Sequence, residues 1–243
     1  MPSLKQQAAD GTLVLTLSRP ERGNALCAEL VEALLQAVEA LTATGPIHTL
    51  VLRAEGRHFC TGLDLSDLDQ ISDGDMLHRL IRIECLLAAL WHAPVRTLAV
   101  AQGRTWGAGA DLFAACDLRV ATPGTTLRFP GAQFGIVLGT RRLAERVGVD
   151  RARDCVLHAR EIDADAALAW GLATATREDA LPALRVDALS AAAIRAATRA
   201  DHRDADLAAL VRSAATPGLR ERIASYRERT ARATAAGADD QRR

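Results

Sequence analysis

Apolar and polar residues along this chain follow two spacings, which predict strands and helices in alternation. Short apolar runs predict strands at 13–17, 49–53, 97–101, 118–121 and 172–176. Apolar residues three and four positions apart predict helices at 28–42, 76–92, 107–116, 142–147, 151–158 and 164–169. Units of strand, turn and helix therefore recur without a repeat of fixed period, which indicates an α/β fold.

The last part of the chain differs in composition from the rest. Residues 187–235 are rich in Ala, Arg and Asp and are predicted to be helical, with one break at Pro217-Gly218. The change in composition lies close to Pro182. We therefore expect a helical extension after a mixed core.

A glycine-rich segment from Gly103 to Asp111 follows the predicted strand at 97–101. A tight turn between a strand and a helix exposes backbone N–H groups at the positive end of the helix dipole, where they can hold a developing negative charge. Asp111 lies about one turn into the predicted helix, so a carboxylate is expected beside this anion site. The segment lacks the third glycine of a dinucleotide fingerprint and the Lys-Ser/Thr of a P-loop. Taken alone, it is either an anion site or a tight turn without function.

The overall charge excludes some classes of partner. The chain has 243 residues, in which 30 Lys and Arg balance 30 Asp and Glu. A neutral chain has no net attraction to nucleic acid or to anionic membranes, so we expect neither as a partner. The five cysteines include no C-x-x-C pair, and no signal peptide or membrane-spanning apolar run is evident. These features predict free thiols and a cytoplasmic location.

Four segments match, in order and spacing, the motifs of one enzyme superfamily. They read LSRPERGNAL at 17–26, FCTGLDL at 59–65, GRTWGAGADLFAACD at 103–117 and IDADAALAWGLA at 162–173. The chain therefore resembles the enoyl-CoA hydratase/isomerase (crotonase) superfamily. The resemblance implies a spiral of β-β-α units, followed by C-terminal helices that pack into a trimer.

The resemblance also implies an assembly and a ligand. We expect a core of residues 1–185, a helical oligomerisation region of residues 186–243, and a homotrimer or a hexamer of two trimers. Such helices should carry an apolar stripe too large for a monomer to bury, and the candidates are Leu207, Leu210, Val211, Leu219 and Ile223. The implied substrate is an acyl-CoA, a thioester of coenzyme A, with no bound cofactor and no metal.

The superfamily's chemistry centres on a thioester carbonyl polarised by two backbone N–H groups. The resemblance assigns these donors to Leu63 and Ala108, and it assigns the first catalytic carboxylate to Asp111, where family hydratases have glutamate. Backbone donors need no particular side chain, so Leu and Ala fit these positions. The remaining predicted site residues contact substrate, and they are Ala25, Thr61, Gly62, Trp106 and Gly107. Trp106 is as easily a core residue as a wall of the acyl pocket.

The second catalytic glutamate of family hydratases aligns with Gly131, which cannot transfer a proton. Gln133 is an alternative occupant of the pocket, able to hold a water but not to deprotonate it. Two functions therefore stay open. The first is an enzyme with a single carboxylate, which suffices for isomerisation or decarboxylation through an enolate, while hydration remains the commonest activity of the family. The second is a non-catalytic paralogue that binds acyl-CoA or assembles with an active homologue.

For a few other side chains, a structural role and a functional role are alternative interpretations. Cys60 is expected to be a buried small hydrophobe and not a nucleophile, and Asp64 is expected to be a helix cap. Arg22, Arg141 and Arg142 either meet the phosphates of coenzyme A or are solvated, as most surface arginines are.

Overall fold

The computed structural model describes residues 2–180 and 183–240, with side chains outside Ala180 and residues 233–240. The strands are β1 Leu4–Ala9, β2 Thr12–Leu17, β3 Thr49–Ala54, β4 Arg96–Ala101, β5 Arg104–Trp106, β6 Leu118–Ala121, β7 Thr126–Arg128 and β8 Ile162–Asp163. The helices are α1 Ala28–Glu39, α2 Asp73–Trp91, α3 Ala108–Ala115, α4 Thr140–Val147, α5 Val149–Leu157, α6 Ala164–Ala169, α7 Ala188–Ala197, α8 Arg203–Ala214 and α9 Leu219–Asp240. Strands and helices alternate through the first two thirds of the chain, which confirms the α/β prediction.

The larger sheet has five strands in the order β1-β2-β3-β4-β6. Strand β1 pairs antiparallel with β2, and the other neighbours are parallel. Val14, Val51, Leu98 and Leu118 pair across one row and pack in one apolar cluster. Adjacent positions on these strands belong to the main core, so both faces of the sheet are covered, as is usual for parallel strands.

The predicted strand at 172–176 is wrong. Ala175 makes only an isolated parallel bridge to Val120, and Thr174 N–H donates to the carbonyl of Arg119 at 2.8 Å. The sequence pattern also missed β1, β5, β7 and β8. Strand β1 is exposed at nearly every position and therefore shows no apolar alternation, and the other three have only two or three residues.

The C-terminal helices contain one break more than predicted. Gly218, at a φ of +75°, separates α8 from α9 as expected. A second break separates α7 from α8, and just before α8 Asp201 Oδ1 accepts a hydrogen bond from Arg203 N–H at 3.1 Å. The pattern of residues 187–235 did not reveal this short polar interruption.

Most of the apolar stripe proposed for trimerisation is buried against other residues of the same chain. Leu210, Leu219 and Ile223 are fully buried in a cluster with Met76 and Leu80 of α2, which corrects the prediction that a monomer cannot cover them. A helix that folds back on its own core buries the stripe that a partner would otherwise cover. The trimer or hexamer and the boundary between residues 185 and 186 stay predictions, and Pro182 and residues 241–243 lie outside the described residues. No described helix is long and apolar enough to cross a bilayer.

Candidate active site

Two glycine turns meet at the edge of the small sheet formed by β5, β7 and β8. Cys60 and Thr105 form a parallel bridge, and Trp106 N–H donates to the Cys60 carbonyl at 3.0 Å. Just beyond the bridge, Gly62 has a φ of +101° and Gly107 a φ of +54°. A Cβ at position 62 would lie 3.0 Å from the Trp106 carbonyl oxygen. Glycine is therefore required for the two turns to lie this close.

Both turns contain backbone N–H groups without an acceptor among the described residues, including the two that the resemblance assigns as donors. Ala108 is the first residue of α3, so its N–H has no partner within the helix, whereas Ala110 and Asp111 N–H donate to the Gly107 carbonyl. Neither Leu63 N–H nor Ala108 N–H has an acceptor in the part of the chain that the structure describes. The Ala108 nitrogen lies 3.6 Å from where a Gly62 Cβ would stand, so the two turns, and with them the two donors, are neighbours.

These donors and the predicted site residues other than Ala25 line one cavity of about 120 Å³. Thr61, Gly62, Trp106, Gly107 and Asp111 all contribute to its wall beside Leu63 and Ala108. Ala25 does not line it, because it is buried elsewhere and its carbonyl accepts a hydrogen bond from Arg19 Nη1 at 2.7 Å. The resemblance implies that residues 66–92 form part of the pocket wall, and Leu80 and Ile83 lie there. The sequence did not predict further lining residues, which include Phe129, Phe134, Ile136, Thr140, Ile223 and Tyr226.

Trp106 belongs to the cavity wall and not to the core. Its indole is half-buried, and Nε1 donates to Thr126 Oγ1 at 3.0 Å. The Arg104 guanidinium lies over the ring, 4.7 Å from its centroid. Held by both contacts, the indole presents a rigid apolar side to the cavity.

Asp111 is only 6% exposed, and its Oδ1 has no hydrogen-bond partner among the described residues. Burial raises the pKa of this carboxyl well above its usual value, and the charge of Glu84 adds to the increase while Arg142 opposes it. Among the described residues no arginine forms an ion pair with Asp111, because Arg142 pairs with Glu84 and Asp206 instead. A carboxyl with a raised pKa is suited to proton transfer near neutral pH.

Gly139 lies directly against the Asp111 carboxyl. Gly139 has a φ of +67° and directly precedes α4. A Cβ at this position would lie 2.0 Å from Asp111 Oδ1, so only glycine leaves room for the carboxyl.

Gly131, to which the resemblance assigns the second catalytic carboxylate, lies on the wall of this cavity. Gly131 begins a 3-10 turn, Gly131–Phe134, and lines the same cavity as Asp111. A Cβ there would lie 3.1 Å from the Ile136 carbonyl oxygen. Gln133 is exposed and does not line the cavity, so it does not replace the missing group.

Similarity to known proteins identifies the family of this chain. The family model for enoyl-CoA hydratase/isomerase matches residues 7–233. The chain belongs to the enoyl-CoA hydratase/isomerase family.

Curated relatives of this hydratase/isomerase are named as hydratases of CoA thioesters. A probable enoyl-CoA hydratase, echA6, of Mycobacterium leprae is 38% identical over 171 residues, which cover 68% of this chain and 67% of the relative. The mitochondrial methylglutaconyl-CoA hydratase of Homo sapiens is 30% identical over 166 residues, covering 67% of this chain and 49% of the relative. The names of these homologues support the interpretation of this chain as an enzyme of the hydratase/isomerase family.

Solved structures confirm the crotonase fold that the resemblance implied. An enoyl-CoA hydratase/isomerase structure from Bordetella parapertussis has a TM-score of 0.87 and 43% identity, covering 93% of this chain and 98% of that one. A hydratase structure from Thermobifida fusca, in complex with acetoacetyl-CoA, has a TM-score of 0.72 and 28% identity, covering 88% of this chain and 93% of that one.

The enzyme's arginines on α4 are neither solvated nor free to bind phosphates. Arg142 is buried, and its Nη2 lies 2.6 Å from Glu84 Oε1 and 3.2 Å from Asp206 Oδ2. Arg141 pairs with the same Asp206 carboxylate at 2.7 Å and with Glu145. Both earlier interpretations of this pair are therefore wrong. Arg22, by contrast, is exposed.

Removing one partner of the buried pair should destabilise the fold strongly. Arg142→Met leaves Glu84 buried and charged without its guanidinium, which should lower the free energy of unfolding by about 3–5 kcal/mol. Urea denaturation measures this change. The double variant Glu84→Leu/Arg142→Met should recover most of the loss, and a single variant as stable as the parent would contradict the prediction.

The remaining reactive side chains have structural roles. Cys60 is buried, as expected, and burial raises the pKa of its thiol to about 12, which disfavours the reactive thiolate. Asp64 does not cap a helix, because Oδ2 pairs with Arg19 Nη2 at 2.8 Å and Oδ1 accepts from Ser66 N–H at 3.0 Å. The described residues contain no group of three or more His, Cys, Asp or Glu side chains arranged to hold a metal ion.

Proposed function

We propose that this enzyme transfers a proton at the α-carbon of an acyl-CoA thioester, in enoyl-CoA hydration or isomerisation. The thioester oxygen lies between Leu63 N–H and Ala108 N–H, and Asp111 is the group that moves the proton. One observation carries the proposal: two unpaired backbone donors and one buried carboxyl line the same cavity.

This arrangement can form and stabilise an enolate of the thioester. When Asp111 removes a proton from the carbon chain, the electron pair moves onto the thioester oxygen, where the two N–H groups stabilise the negative charge. One such donor is worth about two to three orders of magnitude in rate. Because the pKa of Asp111 is raised, its carboxylate is a stronger base than an ordinary aspartate. The protonated carboxyl is still a much stronger acid than the α-carbon of a thioester, so it can return the proton to the enolate.

A single carboxyl can complete an isomerisation by itself. Asp111 takes a proton from one carbon and returns it to another carbon of the same enolate, so no second acid or base is needed. Hydration needs, in addition, a group that holds water at the β-carbon. The names of the relatives favour hydration as an activity of this site.

Two assays test the proposal. Exchange of the α-protons of butyryl-CoA with deuterium in heavy water reports enolate formation, and loss of absorbance of crotonyl-CoA reports hydration. We expect the parent enzyme to exchange and the Asp111→Asn variant not to exchange. Calorimetric binding of butyryl-CoA without any exchange would support the non-catalytic paralogue instead.

The glycine at position 131 offers a gain-of-function prediction. Gly131→Glu places a carboxylate on the cavity wall, and it requires the Ile136 carbonyl to move by a few tenths of an ångström. We expect hydration of crotonyl-CoA to rise by about tenfold or more, since a positioned acid or base contributes about two to four orders of magnitude when its geometry is ideal. Gly131→Gln is the matched control, because it fills the same space without an exchangeable acid. Equal rates in both variants would contradict this expectation.

Assembly and location stay predictions. The helix α7 exposes Leu189 (58%) and Ile194 (55%), which supports a contact between copies on this helix in the expected homotrimer or hexamer. The free cysteines support the cytoplasm as the expected location.

A further inference from the structure

Two residues of α9, Ile223 and Tyr226, complete the wall of the cavity that contains Asp111. Tyr226 is the only tyrosine of the chain. Its side chain is half-buried, and no described side chain or backbone group hydrogen-bonds to its hydroxyl. Tyr226 therefore adds to the cavity wall a phenol whose hydroxyl has no hydrogen-bond partner among the described residues.

Polar contacts hold α9 over the cavity on two sides. At its start, Leu219 and Arg220 N–H donate to the Asp73 carboxylate at 3.1 and 3.0 Å. Further along, Arg222 Nη1 donates to the Phe134 carbonyl at 3.2 Å, and Arg227 Nη1 donates to the Leu65 carbonyl at 3.3 Å. These contacts flank Tyr226 in sequence, so its position on the wall does not depend on a single weak interaction.

Tyr226 lies beside the turn that lacks the second carboxylate. Its ring centroid is 5.1 Å from that of Phe134, with the two planes at 50°. Phe134 ends the 3-10 turn that Gly131 begins, and both residues line the cavity. The chain thus brings the phenol of Tyr226 beside the turn to which the resemblance assigns the second catalytic acid.

We propose that the Tyr226 hydroxyl hydrogen-bonds the oxygen at the β-carbon of the substrate, which is the attacking water in hydration and the 3-hydroxyl group in the reverse reaction. This inference rests on the proposed function and makes the enzyme a 2-enoyl-CoA hydratase with one carboxyl and one phenol. A phenol can accept a hydrogen bond from water and donate one to a leaving hydroxyl.

The proton balance closes without ionising Tyr226. One O–H of the water donates to Tyr226 Oη, which leaves the other O–H for the Asp111 carboxylate. The water oxygen bonds to the β-carbon while its proton passes to Asp111, and the electron pair of the double bond moves onto the thioester oxygen. Asp111 then delivers that proton to the α-carbon, and the enolate collapses to the 3-hydroxyacyl thioester.

The test compares two activities of the Tyr226→Phe variant. Phenylalanine keeps the ring contact with Phe134 and the cavity wall, and it removes only the hydroxyl. Hydration of crotonyl-CoA should fall by about 10- to 100-fold in kcat, because losing one hydrogen bond to the reacting oxygen raises the barrier by the equivalent of one to two factors of ten. Exchange of the α-protons of butyryl-CoA, which has no oxygen at the β-carbon, should stay within about twofold of the parent. Ser225→Ala, which removes an exposed hydroxyl from the same helix, should leave both activities unchanged.

The possible outcomes separate the two proposals. Hydration within twofold of the parent in Tyr226→Phe overturns the role of the hydroxyl, and so does an equal loss of hydration and exchange, since that marks a damaged wall. A parent enzyme that exchanges α-protons but does not hydrate crotonyl-CoA overturns the role of Tyr226 and leaves the proposed function standing. A parent enzyme without exchange overturns both.

Discussion

Asp111→Asn should reduce turnover by about three orders of magnitude. The same variant should have a higher melting temperature than the parent at neutral pH. Asparagine keeps the size of the side chain but cannot accept a proton, and a positioned base contributes about two to four orders of magnitude. The same change removes a carboxyl that burial makes costly to ionise. Activity and stability should therefore move in opposite directions.

The stability difference should depend on pH in a defined direction. The pKa of Asp111 is higher in the folded chain than its usual value of 3.8. Below that usual value the carboxyl is protonated in both the folded and the unfolded chain, so parent and variant should melt alike. As pH rises towards the raised pKa, only the unfolded chain releases the proton readily, and the parent loses stability relative to the variant.

Calorimetric melting between pH 4 and pH 8 measures this difference. Each unit of increase in the pKa of Asp111 corresponds to about 3–5 °C in melting temperature for a chain of this size. Proton exchange in the parent should likewise increase as pH rises through the raised pKa, because only the carboxylate is a base. A variant that melts lower than the parent at pH 8 would show that Asp111 has a partner that stabilises its charge.

Ala108→Pro should reduce turnover by at least about a hundredfold without unfolding the enzyme. Proline removes the Ala108 N–H, one of the two donors proposed to hold the thioester oxygen, and losing one such donor costs about two to three orders of magnitude. Ala108 is the first residue of α3, the helix position at which proline is best tolerated, since its N–H has no partner within the helix.

The matched control is Ala108→Gly, which keeps the N–H and should retain most of the activity. Circular dichroism and thermal melting of both variants would show whether α3 persists. If a folded Ala108→Pro variant exchanges α-protons at the parent rate, the glycine turn is structural and the oxyanion proposal fails.

Local sequence patterns were sufficient for the elements that carry the first half of the site. Strands β2, β3, β4 and β6 and helices α1 to α6 follow apolar spacings within their own residues, so the predicted segments overlap the observed ones. Asp111 lies next to the Ala108 donor for a similarly local reason: one helical turn joins them. The motif around Leu63 identified the second turn, although its contact with the first depends on the bridge between Cys60 and Thr105.

The features that complete the cavity depend on contacts between residues far apart in the chain. Tyr226 reaches the cavity because α9 folds back onto α2 and the turn at Gly131, and an amphipathic helix is equally compatible with a partner subunit. Arg142 resembles a surface arginine in sequence, and only the packing of α4 on α2 buries it against Glu84. Sequence by itself thus determined the fold class, the glycine turns and Asp111, since spacing and backbone freedom act within a few residues. The tertiary structure decided the raised pKa of Asp111, the burial of Arg142 against Glu84 and the phenol beside the turn at Gly131, because burial and charge depend on which distant segments pack together.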